Sequence, residues 1–427
     1  MNPRSTMVSA SLASAGLASA GPAAMSPPSL AGFSLTRRFL ARLARHVVHG
    51  QLTIQTPSGE TIHFTGPSPG PNGGLILHRW RAVRRLLMGG DVGFAEAYMN
   101  GDWSTPDLTA LIELAARNHE TMMPSLDGSR FARLLNRLSH LRRSNTKRGS
   151  RRNIPAHYDL GNAFYAAWLD PGMSYSSGFY ANPTATLEQA QTAKQDLVIG
   201  ALGLSGGESV LEIGCGWCGL AERLAREQGC SVVGLTLSPA QLEYARARLD
   251  AIPGPGRVET RQLDYRDVTG TFDRIVSIEM LEAVGKDYWE TYFATIRDRL
   301  RPGGIAVLQV ITMAEDRYAA YERSADFIQR HIFPGGMLPS DGVMRARIAA
   351  AGLRLDDVRT FGASYGRTLA DWRTRFHRAW PELRPMGFNA RFKRKWDYYL
   401  SYCEAGFRAG AIDVGLYRLH RPPERTA

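Results

Sequence analysis

The sequence predicts an α/β protein: a doubly wound, Rossmann-like sheet, with a small α+β unit before it and a helical insert late in it. Three observations predict this. From about residue 186 onward, strand-like and helix-like runs alternate, the pattern of βαβ units with right-handed crossovers. Residues 210–220, VLEIGCGWCGL, set a Gly-x-Gly-x-x-Gly (Gly214, Gly216, Gly219) between an apolar strand and a helix. Residues 50–66, GQLTIQTPSGETIHFTG, alternate with the two-residue period of a hairpin.

The bulk numbers agree with a folded, multi-domain chain. Its 427 residues suffice for two or three domains and a large core. With 44% hydrophobic and 22% charged residues, it is not disordered as a whole. A formal charge of +12 asks for an anionic partner: nucleic acid, anionic lipid or an acidic small molecule. Four cysteines in such a chain do not make a disulfide scaffold, so a reducing cytoplasm is expected. No apolar run reaches the ~18 residues of a spanning helix.

Taken in order, residues 1–35 are rich in Ala, Ser, Gly and Pro. Ser and Gly interrupt every apolar stretch there, which suits a disordered tail better than a targeting peptide. Residues 36–48, TRRFLARLARHVV, read as a basic amphipathic helix, suited to a membrane surface or to packing on the domain after it. In the hairpin, LTIQT and TIHFT are joined by the turn PSGE. PSPGPNGG then reads as a loop. The stretch from LILHRW to MNGDW carries a strand, a helix closed by Gly89 and Gly90, and a second helix; residues 106–118 form another. Residues 36–130 thus make a small N-terminal domain without an obvious catalytic cluster.

Residues 131–152 form a basic linker. Within it, RLSHLRRSNTKRGSRR at 137–152 holds seven Arg or Lys and no acid, either a solvated face or a patch for anionic phosphates. The main domain spans 153–421. TLEQ at 186–189 is a capping box. SVLEIGCG, CSVVGLTL, RVETRQLDY, FDRIVSIEML and RPGGIAVLQVI are its strands, separated by helices, one of them capped by Ser238 with Gln241 three residues on. A mostly helical insert occupies about 314–350, and RLDDVRTFG and AIDVGLYRLHR supply the last strands.

A lone glycine loop does not choose its cofactor. A nicotinamide site wants an acid at the end of the next strand for the ribose hydroxyls. That strand ends Gly234-Leu235-Thr236, with no acid. Instead, Glu212 stands two residues before Gly214, and Asp264 follows the third strand. This arrangement suits S-adenosylmethionine. Glu212 faces the ammonium of its amino-acid end, Gly214 and Gly216 allow close backbone approach, and Asp264 meets the adenine amine with Tyr265 or Trp217 against the ring. Redox or metal use of Cys215 and Cys218 is not favoured. Cys230 and Cys403 stand alone, and zinc spacing is absent. Cys215 is expected to pack beneath the cofactor.

Several motifs in one order then carry a resemblance: HYDLGNAFYAAWLDPGMSYSSGFY, VLEIGCGWCGL, GLTLSPAQ, LDYRD, FDRIVSIEMLEAVG and FIQRHIFPGGMLPS. Together they resemble the cyclopropane-fatty-acyl-phospholipid synthases, S-adenosylmethionine enzymes that include the mycolic acid cyclopropane synthases, over roughly residues 45–420. The resemblance implies a methyltransferase fold and a small lipid-facing N-terminal domain. Tyr175 and Ser176 close over the cofactor. The loop from Val210 to Cys218 (Glu212, Gly214, Cys215, Gly216, Trp217) holds its amino-acid end. Thr236, Leu237 and Gln241 reach the ribose, and Asp264, Tyr265 and Arg266 border the adenine. Cys218 stands where the family has Gly and is expected to narrow the loop slightly.

The resemblance also implies the reaction. The methyl group passes to the double bond of an unsaturated fatty-acyl chain of a membrane phospholipid, and a base then takes a proton from the resulting cation. Loss from the new methyl closes a cyclopropane, the product the resemblance implies; loss from a neighbouring carbon leaves a methyl- or methylene-branched chain, the alternative that Ser177 and Gln309 raise. In the family a bound bicarbonate serves as base, held by Cys, Glu, His and Tyr. The matching positions here are Ser177, Glu282, Gln309 and Tyr365. Ser177 is expected to donate a hydrogen bond, and Glu282 to be the catalytic carboxylate, itself the base if burial raises its pKa. Glu279 is expected to be structural. His157 is expected to order the lid before Tyr175, and His331 to hydrogen-bond backbone. Tyr318, Tyr321, Phe327 and Phe333 suit either an acyl tunnel or the core of the insert. Expected partners are unsaturated phospholipid and an anionic membrane surface on the cytoplasmic face, with a homodimer implied and no nucleic acid.

Overall fold

The structure, a computed structural model, describes residues 40, 42, 45–126, 160–250 and 254–423. The expected tail, most of the basic amphipathic helix, the basic run and His157 lie outside the described residues.

Strands β1 (His49–Gln55) and β2 (Thr61–Thr65) form the hairpin, with Gln55 opposite Thr61. The run expected as a loop belongs instead to β3 (Ser68–Leu77), which pairs parallel to β1. Its glycines explain the difference. A side chain at Gly70 would meet Gly50 N at 2.7 Å, and one at Gly73 would meet Leu111 at 3.1 Å. Turn-like composition here serves close strand and helix approach. Helix α1 (Arg81–Met99) breaks at Gly90 (φ 59°, ψ −142°), so it is two helices as expected. It leads to β4 (Trp103–Ser104), which completes a sheet of order β2-β1-β3-β4, and to α2 (Leu108–Arg117), capped by Asp107. Leu52, Ile54, Leu75, Leu77 and Trp103 are buried between sheet and helices.

After α3 (His119–Leu126) and α4 (Asn162–Ala166), the main sheet begins. Helix α5 (Leu187–Leu202) starts at the Thr186 capping box, with Gln189 answering it. Then come β5 (Ser209–Ile213), α6 (Gly219–Gln228), β6 (Ser231–Thr236), α7 (Pro239–Leu249), β7 (Arg257–Gln262) and β8 (Phe272–Ile278). Ser238 caps α7 by accepting from Gln241 N. Short α8 (Leu281–Val284), α9 (Trp289–Arg299) and the long β9 (Leu300–Met313) come next. The insert contains α10 (Glu315–Tyr321), α11 (Phe327–His331) and α12 (Asp341–Ala350) before β10 (Arg354–Thr360). The order is β10-β11-β9-β8-β5-β6-β7, with β11 (Ile412–His420) antiparallel to both neighbours. Trp289, Tyr292, Phe293 and Ile296 of α9 are buried on one face of this sheet. Such side chains contribute about 1.5–3 kcal/mol each on burial.

Two long helices, α13 (Gly362–Leu383) and α14 (Ala390–Arg408), to which the sequence patterns assign no element, lie between the last strands. They tie the two sheets together. The buried Glu404 of α14 accepts from Thr109 Oγ1 at 3.0 Å and pairs with Arg408 at 2.6 Å. Tyr98 donates to Asp397 at 2.8 Å. One apolar core runs from Leu52 and Trp103 through Phe164, Trp372 and Trp396 to Trp217. Among the described residues, no helix is long and apolar enough to cross a membrane.

Candidate active site

The strand order reverses direction between β5 and β8, and a crevice opens there at the C-terminal strand ends, where doubly wound sheets hold ligands. The loop after β5 forms its floor. Gly214 N and Cys215 N donate to Leu235 O at 3.0 and 2.8 Å, and Cys218 N closes the turn on Cys215 O at 2.8 Å. Gly214 (φ 81°) has no room for a side chain, since a Cβ would lie 2.6 Å from Met280 Cγ. At Gly216 (φ 54°) a Cβ would meet nothing within 4 Å. Cys215 and Cys218 are buried free thiols. Their sulfurs lie 3.1 and 3.7 Å from where a Gly234 Cβ would stand, so they fill space under the loop. The expected narrowing by Cys218 is not found: it takes φ 62° at the start of α6 and does not line the cavity.

All thirteen residues expected at the cofactor line a single cavity: Tyr175, Ser176, Glu212, Gly214, Cys215, Gly216, Trp217, Thr236, Leu237, Gln241, Asp264, Tyr265 and Arg266. Burial pushes Glu212 up to about 8, against the pull of Lys194. Its Oε2 is buried without a hydrogen-bond partner. Thr236 Oγ1 donates to Gln241 Oε1 at 2.9 Å, which fixes both at the end of β6. Arg266 grips Asp264 through Nε (2.8 Å) and Nη2 (2.6 Å), and its guanidinium lies over the rings of Tyr265 and Tyr288.

Lys194 is a site residue that sequence reasoning missed. It is 4% exposed, lines the cavity and donates to Ser176 Oγ at 2.7 Å. Burial lowers its pKa, while Glu279, Asp170 and Glu212 raise it. A signal existed. Leu187, Ala190, Gln191, Lys194, Val198 and Leu202 form the buried face of α5, so a lysine stands at a core position.

Beside the glycine loop, three of the four expected catalytic residues meet at one carboxylate, and it is Glu279. Ser177 N donates to its Oε1 at 2.9 Å, Gln309 Nε2 to the same oxygen at 2.7 Å, and Tyr365 OH to Oε2 at 2.5 Å. Burial raises the Glu279 pKa, and Tyr365, Ser177, Lys194 and Gln309 pull it back. Tyr365 packs its ring 4.5 Å from Phe407 and 6.1 Å from Trp372, which in turn lies 5.3 Å from Tyr175.

Comparison with known proteins places this arrangement. Residues 145–416 match the mycolic acid cyclopropane synthetase family. This chain belongs to that family. It is 38% identical over 405 residues to the tuberculostearic acid methyltransferase UfaA1 of Mycobacterium tuberculosis, covering 92% of this chain and 93% of that protein. It is 36% identical over 335 residues to the cyclopropane-fatty-acyl-phospholipid synthase of Escherichia coli, covering 78% and 83%. Among solved structures, mycolic acid cyclopropane synthase CmaA1 complexed with S-adenosylhomocysteine superposes with a TM-score of 0.60 at 29% identity, over 63% of this chain and 98% of that one. The fold is that of an S-adenosylmethionine-dependent methyltransferase, and the family's enzymes modify fatty-acyl chains.

As a member of the mycolic acid cyclopropane synthetase family, the chain is an S-adenosylmethionine-dependent enzyme, and its residues fit that cofactor. The unpartnered Glu212 oxygen answers an ammonium, and the open space over Gly216 admits a ligand against backbone. The family resemblance groups Glu282 with Ser177, Gln309 and Tyr365; in this structure those three bond Glu279 instead. Glu282 turns to β9, accepts from Ile311 N at 2.6 Å and does not line the cavity. Glu279 takes φ 50° just after β8 and lines the crevice, whereas Glu282, within α8, does not. The Ser177 hydroxyl is also turned away, donating to Gly178 O, so its backbone N–H makes the contact. His331, expected on backbone, meets Glu96 at 3.2 Å instead. Tyr318, Tyr321, Phe327 and Phe333 do not line the cofactor cavity; Phe327 is fully buried against Tyr398.

Proposed function

We propose that this enzyme transfers the methyl group of S-adenosylmethionine to the double bond of an unsaturated fatty-acyl chain of a membrane phospholipid. The observation that carries this reading is an acid backed by aromatic rings in the wall of the cofactor cavity: Glu279, gathered by Ser177, Gln309 and Tyr365. An alkene is a weak nucleophile, and its methylation leaves a carbocation. Such a site needs aromatic faces to stabilise the cation, an acid to take a proton and the exclusion of water.

When bound, the cofactor supplies an electrophilic methyl group. The chain's own residues do the rest. Glu212 and the glycine loop hold the amino-acid end, and Thr236, Gln241 and the Asp264–Arg266 pair border the nucleoside. Tyr175 and Ser176 cover the site, the latter held by Lys194. Tyr365, with Trp372 packed beside it, backs Glu279. At the surface, Leu87 and Met88 are exposed on α1 (39% and 67%) beside the exposed Arg84, an apolar and basic combination that suits an anionic lipid surface.

The product we favour is a methyl- or methylene-branched chain that keeps one double bond. Two of the four expected bicarbonate positions are altered, and the relative that spans 92% of this chain is named for tuberculostearic acid. The second reading, a cyclopropane, rests on the relative from Escherichia coli. Proton NMR of lipids from an unsaturated host expressing this chain separates them. Upfield cyclopropyl protons mean ring closure; retained olefinic protons beside a new methyl or methylene signal mean branching. Unsaturated phospholipid left unmodified, with no cofactor consumed, would overturn both.

A further inference from the structure

We propose that the Glu279 carboxylate is the resident proton acceptor of this enzyme and fills the anion site itself, so that turnover needs no exchangeable bicarbonate. The inference rests on the acyl-methylation reading and adds to it the identity of the base.

The geometry builds an anion site and then occupies it from within. Donors from three separate segments converge: Ser177 N from the lid, Gln309 Nε2 from β9 and Tyr365 OH from α13. A fourth bond, Glu279 N to Gln309 O at 2.8 Å, pins the backbone. The residue is half-buried, and it lines the cofactor cavity. Its φ of 50° is glycine's territory, and a side chain there costs about 1–2 kcal/mol. Strain at a position that delivers a carboxylate to three donors is consistent with a functional demand on that carboxylate.

Other acids do not compete for the role. Glu212 belongs to the amino-acid end of the cavity, Asp264 is gripped by Arg266, and Glu282 faces β9. The step balances within the site. The donor's carbon–sulfur bond breaks, and the methyl carbon bonds to one alkene carbon through the π pair. A carbon–hydrogen bond then breaks: on the carbon next to the cation for a new alkene, on the transferred methyl for the ring, or on that methyl after a 1,2-hydride shift for a methylene branch. Its proton goes to Glu279, and its electron pair closes the new double bond, or the ring.

The test uses the full chain in a solution freed of carbon dioxide. Wild type is expected to turn over equally with and without added bicarbonate. Glu279→Gln, which keeps shape and loses basicity, is expected to fall by roughly 10²–10⁴-fold. Glu279→Gly suits the φ of this position and opens the site; it is expected to bind isotope-labelled bicarbonate by NMR and to regain turnover when bicarbonate is added. Wild-type turnover that depends on bicarbonate would overturn the proposal. So would an active Glu279→Gln, or labelled bicarbonate bound by wild type as it is by Glu279→Gly. A wild type inert on every unsaturated lipid would sink the acyl-methylation reading instead, and the bicarbonate-binding measurement would still judge the anion site.

Discussion

The Tyr365 hydroxyl donates to Glu279 Oε2 at 2.5 Å across 86 residues of chain, joining α13 to the end of β8. A donor to the charged form of an acid lowers its pKa, and here it opposes the upward push of burial. Lys194 acts in the same direction; Glu282 and Cys403 lie within electrostatic reach on other elements. Tyr365→Phe should therefore raise the Glu279 pKa further. Because a base acts ionised, the acid limb of the turnover profile should move to higher pH, with loss near neutrality and recovery above it. A loss equal at every pH would show that the bond only positions the acid.

Glu212 gives a binding prediction. One of its oxygens has no partner, and burial holds its pKa up to about 8. A cationic amino-acid moiety would supply the missing charge and release the proton. Cofactor affinity measured by calorimetry should rise between about pH 6 and 7.5, where the cost of ionising Glu212 falls. Glu212→Gln should bind roughly 10–100-fold more weakly, the worth of a hydrogen bond to a charged group, and should lose the Glu212-linked part of that pH dependence.

The two loop glycines should fail differently. Alanine at Gly214 is strained at φ 81° and collides with Met280, so Gly214→Ala should lower the urea midpoint markedly. At Gly216 (φ 54°) there is strain of about 1–2 kcal/mol but no collision. Gly216→Ala should fold, and lose cofactor affinity because its methyl enters the cavity. Equal stability of the two variants would contradict this account.

Glu282 should matter to stability more than to turnover. Burial, with help from the charge of Glu279, pushes its pKa from 4.5 to about 8. The folded chain thus holds that proton more tightly than the unfolded one. This contribution is fully present below about pH 4.5 and is lost as pH rises through about 8. Glu282→Gln keeps an acceptor for Ile311 N and cannot ionise. Its melting temperature should exceed that of wild type above pH 8 and match it at low pH, with turnover retained. Loss of turnover comparable to that of Glu279→Gln would restore Glu282 as the base.

Much of this protein was legible in its sequence. Local rules place the strands and helices of the main sheet: apolar runs, the Thr186 and Ser238 caps, and glycines where the chain turns at positive φ. The residues that line the crevice were legible because the ends of β5, β6 and β7 must converge in a doubly wound sheet, and each expected residue sits at such an end, in the helix after it, or on the Tyr175–Ser176 segment. The glycine-rich β3 was not legible, because glycines that permit close packing look like glycines that make a turn. Tertiary structure alone decided the rest. Glu279 and Glu282 are three residues apart, and sequence spacing does not say which faces the crevice. That choice depends on one backbone angle at Glu279 and on donors 102, 30 and 86 residues away in the chain. The Ser177 contact obeys the same logic, since its type suggested the hydroxyl and the fold presents the amide. Local propensity sets the elements, but a buried carboxylate's partners are set by long-range packing, and the chemistry depends on the partners.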